Sequence, residues 1–318
     1  MRILFCYDGS ASADAAIDDL KSAGLPRESE VMVVTAADIL MSSPPVQEIV
    51  EQVLLPRRSV AGLREVQSHG ELVVSAARTY ASAARNEIQI LFPDWNVEET
   101  VIEGAPIWEL LAKTESWNPD LVIVGSEGRS ALKRFLLGSV SRKLATAAPC
   151  SVRVARRGGR KNTDLSPPRI VVGVDDSPTS IQAINSIGQR VWQEGTEVRL
   201  VSVDEKISTN RIAYQVPQAA AMIDSAQQKK QSRIVSILKW GEAELKLIGL
   251  NATTKIRKGN ASQVLLDEAR KWNADSIFVG TRNLNGFFEK FRLGSVSTDV
   301  VTKAHCSVEI VRPPRVHI

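Results

Sequence analysis

The stretch LGSVSRKLATAAPCSVRV, Leu137 to Val154, decides how this chain reads, because its first five residues return as Leu293 to Ser297. Around both copies the same frame recurs. NPDLVIVGS (from Asn118) precedes the first copy and NADSIFVGT (from Asn273) the second, and each copy is followed by a Cys-Ser-Val segment, APCSVRV and AHCSVEI. Further upstream, EGAPIWELLAKTESW (from Glu103) matches KGNASQVLLDEARKW (from Lys258), and ILFCYDGS (from Ile3) matches IVVGVDDS (from Ile170). Gly104 and Gly259 lie 155 residues apart, as do Gly125 and Gly280, whereas Gly138 and Gly294 lie 156 apart, so one residue is inserted between the last two landmarks. A period this long implies a duplicated domain rather than a solenoid repeat, because each copy is large enough to bury its own core.

Each half alternates short apolar runs with longer helical patterns, the pattern of a parallel sheet covered by helices. Strands are expected at 3–7, 31–36, 97–102, 121–125 and 151–155, and again at 170–175, 198–203, 253–258, 276–280 and 307–311. Helices are expected at 12–23, about 60–92, 106–117 and 139–147, with counterparts at 179–193, about 218–250, 261–272 and 295–303. The resulting expectation is an α/β chain with one domain over 1–157, a second over 169–313 and a linker at 158–168. In that linker region ARRGGRKNTDLSPPR gathers Arg156, Arg157, Arg160, Lys161 and Arg169, with Arg153 just before it. Its glycines and prolines break regular structure, so it reads as a solvated basic connector.

After the second strand of the first half, SSPP leads into VQEIVEQVL. Val46, Ile49, Val50, Val53 and Leu54 fall at helical spacing. An amphipathic helix packed on the core is expected there, with a lid over a ligand site as the alternative.

At 318 residues, with 43% apolar and 24% charged residues, the composition is that of ordinary globular protein. The net charge of +4 is too small to argue for nucleic-acid binding, and the basic segment lacks interleaved aromatics. No run of about 18 apolar residues is present, and the amino terminus reads as a strand entering a turn, so a cytoplasmic location without membrane contact is expected. Cys6, Cys150 and Cys306 lie far apart in expected strands and read as buried thiols. His69, His305 and His317 have no spacing that suggests a relay or a metal cluster. The sequence therefore nominates no catalyst, and slow turnover is the most that it allows.

The segment GSEGRSALKRFLLGS, from Gly125, combines features that suit phosphate. Gly125 and Gly128 let backbone amides approach an anion, and Gly138-Ser139 opens a helix whose first amides are unpaired. Ser139 and Ser141 add hydroxyl donors, and Arg129 offers a cation, whereas Lys133 and Arg134 read as solvated. The plainer alternative is a strand end, a turn and a helix cap. Neither a Walker A loop nor a dinucleotide fingerprint follows the first strand. Asp8 ends that strand; with sheet order 3-2-1-4-5 it would share a crevice with the glycine loop, either binding a ligand or, with Ser10, capping the first helix.

DGS after strand one, EGAP before helix three, the G-x2-G-x9-G-S loop and APCSVRV together resemble a tandem universal stress protein, over nearly all of both halves. The resemblance implies two Rossmann-like domains of the adenine nucleotide alpha hydrolase-like type, each a five-stranded parallel sheet of order 3-2-1-4-5. It implies an ATP-binding regulatory protein of the stress response, with AMP or cyclic AMP as alternative ligands and Mg accompanying ATP. Asp8 would then contact adenosine, the Ala36 backbone would meet adenine, and Gly125, Gly128, Gly138, Ser139, Val140 and Ser141 would surround ribose and phosphates. A second site would comprise Asp175, Val203, Gly280, Gly294, Ser295, Val296 and Ser297. There Asn283 replaces a glycine, with Gly286 nearby, and Asp176 adds a negative charge, so the first half is expected to be the better site. The resemblance also implies pairing through the fifth strands, with Val152 to Val154 against Val308 to Ile310 inside one chain, and a further homodimer as an option. Two rivals stand beside this reading. An ATP pyrophosphatase or adenylyl-transfer enzyme would place an SGGxDS-type loop after strand one, which YDGSAS does not supply. A nucleotide-free interaction module would use the glycine loops only as turns.

Overall fold

The computed structural model describes residues 1–38, 59–128, 137–156, 166–205, 217–281 and 293–314. The expected helix around Val46 to Leu54 and the core of the basic connector lie outside the described residues. In chain order the first half runs β1 (Arg2–Cys6), α1 (Ala11–Leu20), β2 (Glu30–Ala37), α2 (Ser59–Leu91), β3 (Asn96–Glu103), α3 (Pro106–Trp117), β4 (Leu121–Gly125), α4 (Ser139–Ala147) and β5 (Ser151–Ala155). The second half runs β6 (Arg169–Gly173), α5 (Pro178–Gly188), β7 (Glu197–Asp204), α6 (Pro217–Leu247), β8 (Asn251–Lys258), α7 (Ala261–Lys271), β9 (Ser276–Gly280), α8 (Ser295–Lys303) and β10 (Ser307–Val311).

All ten strands join one sheet of order β3-β2-β1-β4-β5-β10-β9-β6-β7-β8. Within each half the pairing is parallel, and the expected order 3-2-1-4-5 holds in both. The halves meet at an antiparallel β5–β10 ladder, with Val152 opposite Ile310 and Val154 opposite Val308. The expected pairing of fifth strands inside the chain is therefore present. It removes two sheet edges that would otherwise be open to other strands.

The central strands β1 and β4 are apolar along their length because helices cover both faces. On one face a single apolar core runs across both halves, from Leu4, Leu110, Val122 and Leu144 to Val171, Leu265, Ile277 and Val300. On the other face the core is split. Ile3, Phe5, Ile17 and Ile88 pack under α1 and α2, and Ile170, Val172, Ile184 and Leu238 under α5 and α6.

Charge fills the gap between those two clusters. Arg153, expected at the edge of a solvated connector, is instead fully buried in β5. Its Nε and Nη2 donate to Asp19 at 2.6 and 3.0 Å, and its Nη1 donates to Glu309 at 3.4 Å. Burial works against the Arg153 cation, but the two carboxylates outweigh it and hold the guanidinium charged. Arg190 closes the chain of charges by pairing with Glu309 and donating to the Ala23 carbonyl at 2.9 Å. These contacts also explain why α5 stops at Gly188 rather than near 193. Val191 N donates to Gly24 O at 3.0 Å, and the Trp192 ring covers Gly24, whose missing side chain leaves room for it. Tertiary contacts thus draw residues 190–192 away from the helix.

The three cysteines are buried and form no disulfide with one another. Among the described residues no helix is long and apolar enough to cross a membrane.

Candidate functional site

Because β1, β2 and β4 are parallel neighbours, their carboxyl ends bring Asp8, Ala36 and Gly125 to one rim of the sheet. Asp8 turns the chain into α1. Its Oδ1 accepts Ser10 N at 3.0 Å, while Ser10 Oγ caps the helix by accepting Ala13 N at 3.2 Å. The cap is therefore Ser10, and Asp8 braces the turn that leads to it.

The glycine loop starts and ends at fixed points. Gly138 N donates to Ser126 O at 2.8 Å, and Ser141 Oγ donates to Gly125 O at 2.6 Å. Ser12, on the first turn of α1, accepts Glu127 N at 3.0 Å. Helix α4 begins at Gly138 without a side-chain cap, whereas α1, α5 and α7 are capped by Ser10, Ser177 and Asn260. Its first amides, at Ser139, Val140 and Ser141, thus carry the positive end of the helix dipole toward the loop. Ser139 is exposed, Val140 packs on the shared core, and Ser141 is buried with its hydroxyl proton committed to Gly125.

The glycines differ in purpose. A Cβ on Gly125 would stand 2.7 Å from Ser12 O, so this glycine lets α1 approach β4. Among the described residues, a Cβ on Gly128 would meet only Asp8 Oδ2, at 3.6 Å. Among the described residues, the position beside Gly128 therefore faces the Asp8 carboxylate, with Gly138 behind it. Arg129 lies outside the described residues.

The second half repeats the arrangement. A cavity of about 110 Å³ is lined by all seven expected residues, Asp175, Val203, Gly280, Gly294, Ser295, Val296 and Ser297. Ser297 Oγ donates to Gly280 O at 2.9 Å, and α8 also starts without a side-chain cap. Asp175 Oδ1 accepts Ser177 N, Ser177 Oγ and Ser180 Oγ. An adjoining cavity of about 230 Å³ shares Val203, Glu205 and Lys230 with the first and continues to Ile256.

Sequence reasoning missed several residues here. Ser12, Tyr80, Glu205 and Lys230 all sit at these rims. Tyr80 on α2 lies against Gly9, where a Cβ would come within 2.9 Å of the ring. In the second half the corresponding contact is ionic, with Asp176 accepting Arg233 Nη2 at 2.9 Å. Arg233 thus offsets the negative charge that Asp176 brings. No local signal marks Tyr80 and Lys230, because the long helices α2 and α6 supply them from far along the chain, whereas Ser12 comes from the first turn of α1 and Glu205 directly follows β7. Among the described residues no three His, Cys, Asp or Glu side chains converge as a metal site.

The chain is similar to known proteins over both halves. Over 198 residues it is 27% identical to a universal stress protein of Mycolicibacterium smegmatis, covering 62% of this chain and 63% of that protein. With YxiE of Bacillus subtilis it shares 26% identity over 157 residues, 49% of this chain and 98% of YxiE. The match to MJ0531 of Methanocaldococcus jannaschii, at 28% identity, spans 27% of this chain and about half, 52%, of that relative's length. A universal stress protein from Archaeoglobus fulgidus DSM 4304 shares the fold, with a TM-score of 0.60 at 18% identity over 98% of both chains. The universal stress protein family model matches residues 1–156 and again 168–312. With the two five-stranded halves and their twin glycine-loop rims, this makes the chain a member of the universal stress protein family carrying two such regions in tandem.

Proposed function

We propose that this chain is a cytoplasmic regulatory protein of the stress response that binds an adenine nucleotide, ATP first, chiefly in its first half. The observation that carries this reading is the placement of Gly128, which among the described residues faces Asp8 Oδ2 and lies against Gly138 at the uncapped start of α4. Backbone amides without partners at a helix start favour phosphate, and a carboxylate opposite them favours ribose or adenine donors. Ala36 lies on the same rim, where its backbone would meet the base. Asp8, Gly125, Gly128, Gly138, Ser139, Val140 and Ser141 are the residues assigned to this site, with Arg129 as the cation. A magnesium ion would ride on the phosphates of ATP.

The second rim, from Asp175 to Ser297, is assigned as a weaker site. Its Asp175 Oδ1 already takes three hydrogen bonds. The cavity of about 110 Å³ there is also smaller than the roughly 300–1,000 Å³ usual for small-molecule sites.

Isothermal titration of the full chain with ATP, ATP plus magnesium, AMP and cyclic AMP tests the proposal. Cyclic AMP is included because one solved universal stress protein is a complex with it. Binding of at least one of these ligands is expected, together with recovery of nucleotide from the purified protein on heating. No binding heat with any ligand, and no nucleotide in the mass spectrum of the released fraction, would leave the interaction-module reading in its place. Rapid release of pyrophosphate would instead favour an enzyme.

A further inference from the structure

The duplication maps Arg153 onto Glu309, and Glu309 is also the residue that Arg153 faces across the β5–β10 ladder. The approximate twofold axis relating the halves therefore runs through this pair. Any two halves that met by their fifth strands would bring the same position face to face.

Most contacts near the axis are themselves twofold. Arg156 N donates to Ser307 Oγ at 3.0 Å, and its equivalent Arg312 N donates to Ser151 Oγ at 3.1 Å. Arg156 Nη2 donates to the Val301 and Thr302 carbonyls at the end of α8, at 2.8 and 3.3 Å. Arg312 Nη2 does the same for Ala145 and Thr146 at the end of α4, at 2.6 and 3.3 Å. Contacts present in both halves would form equally well between two first halves or two second halves. They hold an interface together without choosing the partner.

The choice lies on the axis. Asp19, Arg153, Glu309 and Arg190 form a buried row of alternating sign, two from each half. Two first halves would give the order Asp, Arg, Arg, Asp, and two second halves Arg, Glu, Glu, Arg. In both cases the central link joins like charges away from water, where juxtaposition is costly. Two first halves would also leave Ala23 O without its donor, because Ala23 occupies the position that corresponds to Arg190.

We propose that the on-axis pair of Arg153 and Glu309 is a pairing code, which makes the fifth-strand edge of the first half specific for that of the second and excludes association of like halves.

The test starts from the full chain carrying an engineered protease site within residues 157–165, cut after folding. The cut protein is unfolded in urea, refolded as the resulting equimolar mixture and weighed by native mass spectrometry, which separates the three pairings by mass. The complex of first with second half should exceed either like-half complex by about 100-fold or more. In Glu309→Gln the second-half homodimer should rise about 10-fold while the first-half homodimer stays rare. Arg153→Gln should give the mirror result, and it decides the matter if Glu309→Gln does not refold. Near-statistical pairing in the unsubstituted protein would overturn the proposal. So would glutamine variants that leave the distribution unchanged, or that release both homodimers alike.

Discussion

The Ser12 carbonyl stands 2.7 Å from where a Cβ of Gly125 would be, while among the described residues a Cβ of Gly128, three residues on, would meet only Asp8 Oδ2, at 3.6 Å. Two glycines of one motif therefore differ, the first serving the packing of α1 on β4 and the second being the one proposed to admit a ligand.

Substitution should separate them. Gly125→Ala forces backbone apart and should cost about 1–3 kcal/mol of stability by urea denaturation. Gly128→Val should leave stability within about 0.5 kcal/mol. It should lower ATP affinity at least 10-fold, about 1.4 kcal/mol or more, in calorimetric titration. Unchanged affinity in Gly128→Val would remove the first-half site.

The two aspartates should differ in the opposite sense. Asp8→Asn is expected to weaken nucleotide binding by about 10-fold or more, since its Oδ2 is the atom that faces Gly128. Asp175→Asn should instead lower the melting temperature, because three donors converge on one oxygen and bonds to a charged acceptor are worth about 1.5–3 kcal/mol. Paired thermal melts and titrations check both.

Removal of the arginines that reach across the join should be graded. Arg312 places both terminal nitrogens on carbonyls of the first half, whereas Arg156 Nη1 is buried with no hydrogen-bond partner among the described residues. Arg312→Met should therefore destabilise more than Arg156→Met, by about 1–3 kcal/mol against less than half of that. Denaturation midpoints of the two variants decide the order.

His305 gives the stability a pH dependence. Burial first, and then the charges of Arg270 and Arg156, hold its imidazole below the ordinary value of 6.5. The folded state thus binds fewer protons than the unfolded chain as pH falls from neutrality. Stability from neutral His305 is full above pH 6.5 and is lost as pH drops toward the depressed folded value. His305→Gln should flatten the stability profile over that acid limb without altering it at pH 8. An identical profile in the variant would count against this assignment.

Much of the architecture was legible beforehand because it is written in local pattern. The β4 run LVIVG and the β9 run SIFVG announce buried parallel strands, and the repeated LGSVS marks the same helix start twice. Sheet order followed from that pattern and from family resemblance. The glycine-loop rim was also legible, though not the distinct roles of Gly125 and Gly128, which depend on how closely α1 approaches. Tyr80 and Lys230 escaped notice because a long helix brings them to the rim from outside any motif.

The sequence by itself determined the duplication, the alternation of strand and helix, and the end of the sheet where Asp8 and the glycine loop meet, since periodicity and turn chemistry act over a few residues. Only the tertiary structure decided the fate of the charges. Arg153 looked like part of a basic surface segment, yet it lies fully buried against Asp19, 134 positions earlier, and Glu309, 156 positions later. Whether a charge is solvated or sealed in a network depends on which surface closes over it. That is fixed when the two halves dock, and not by its neighbours in the chain.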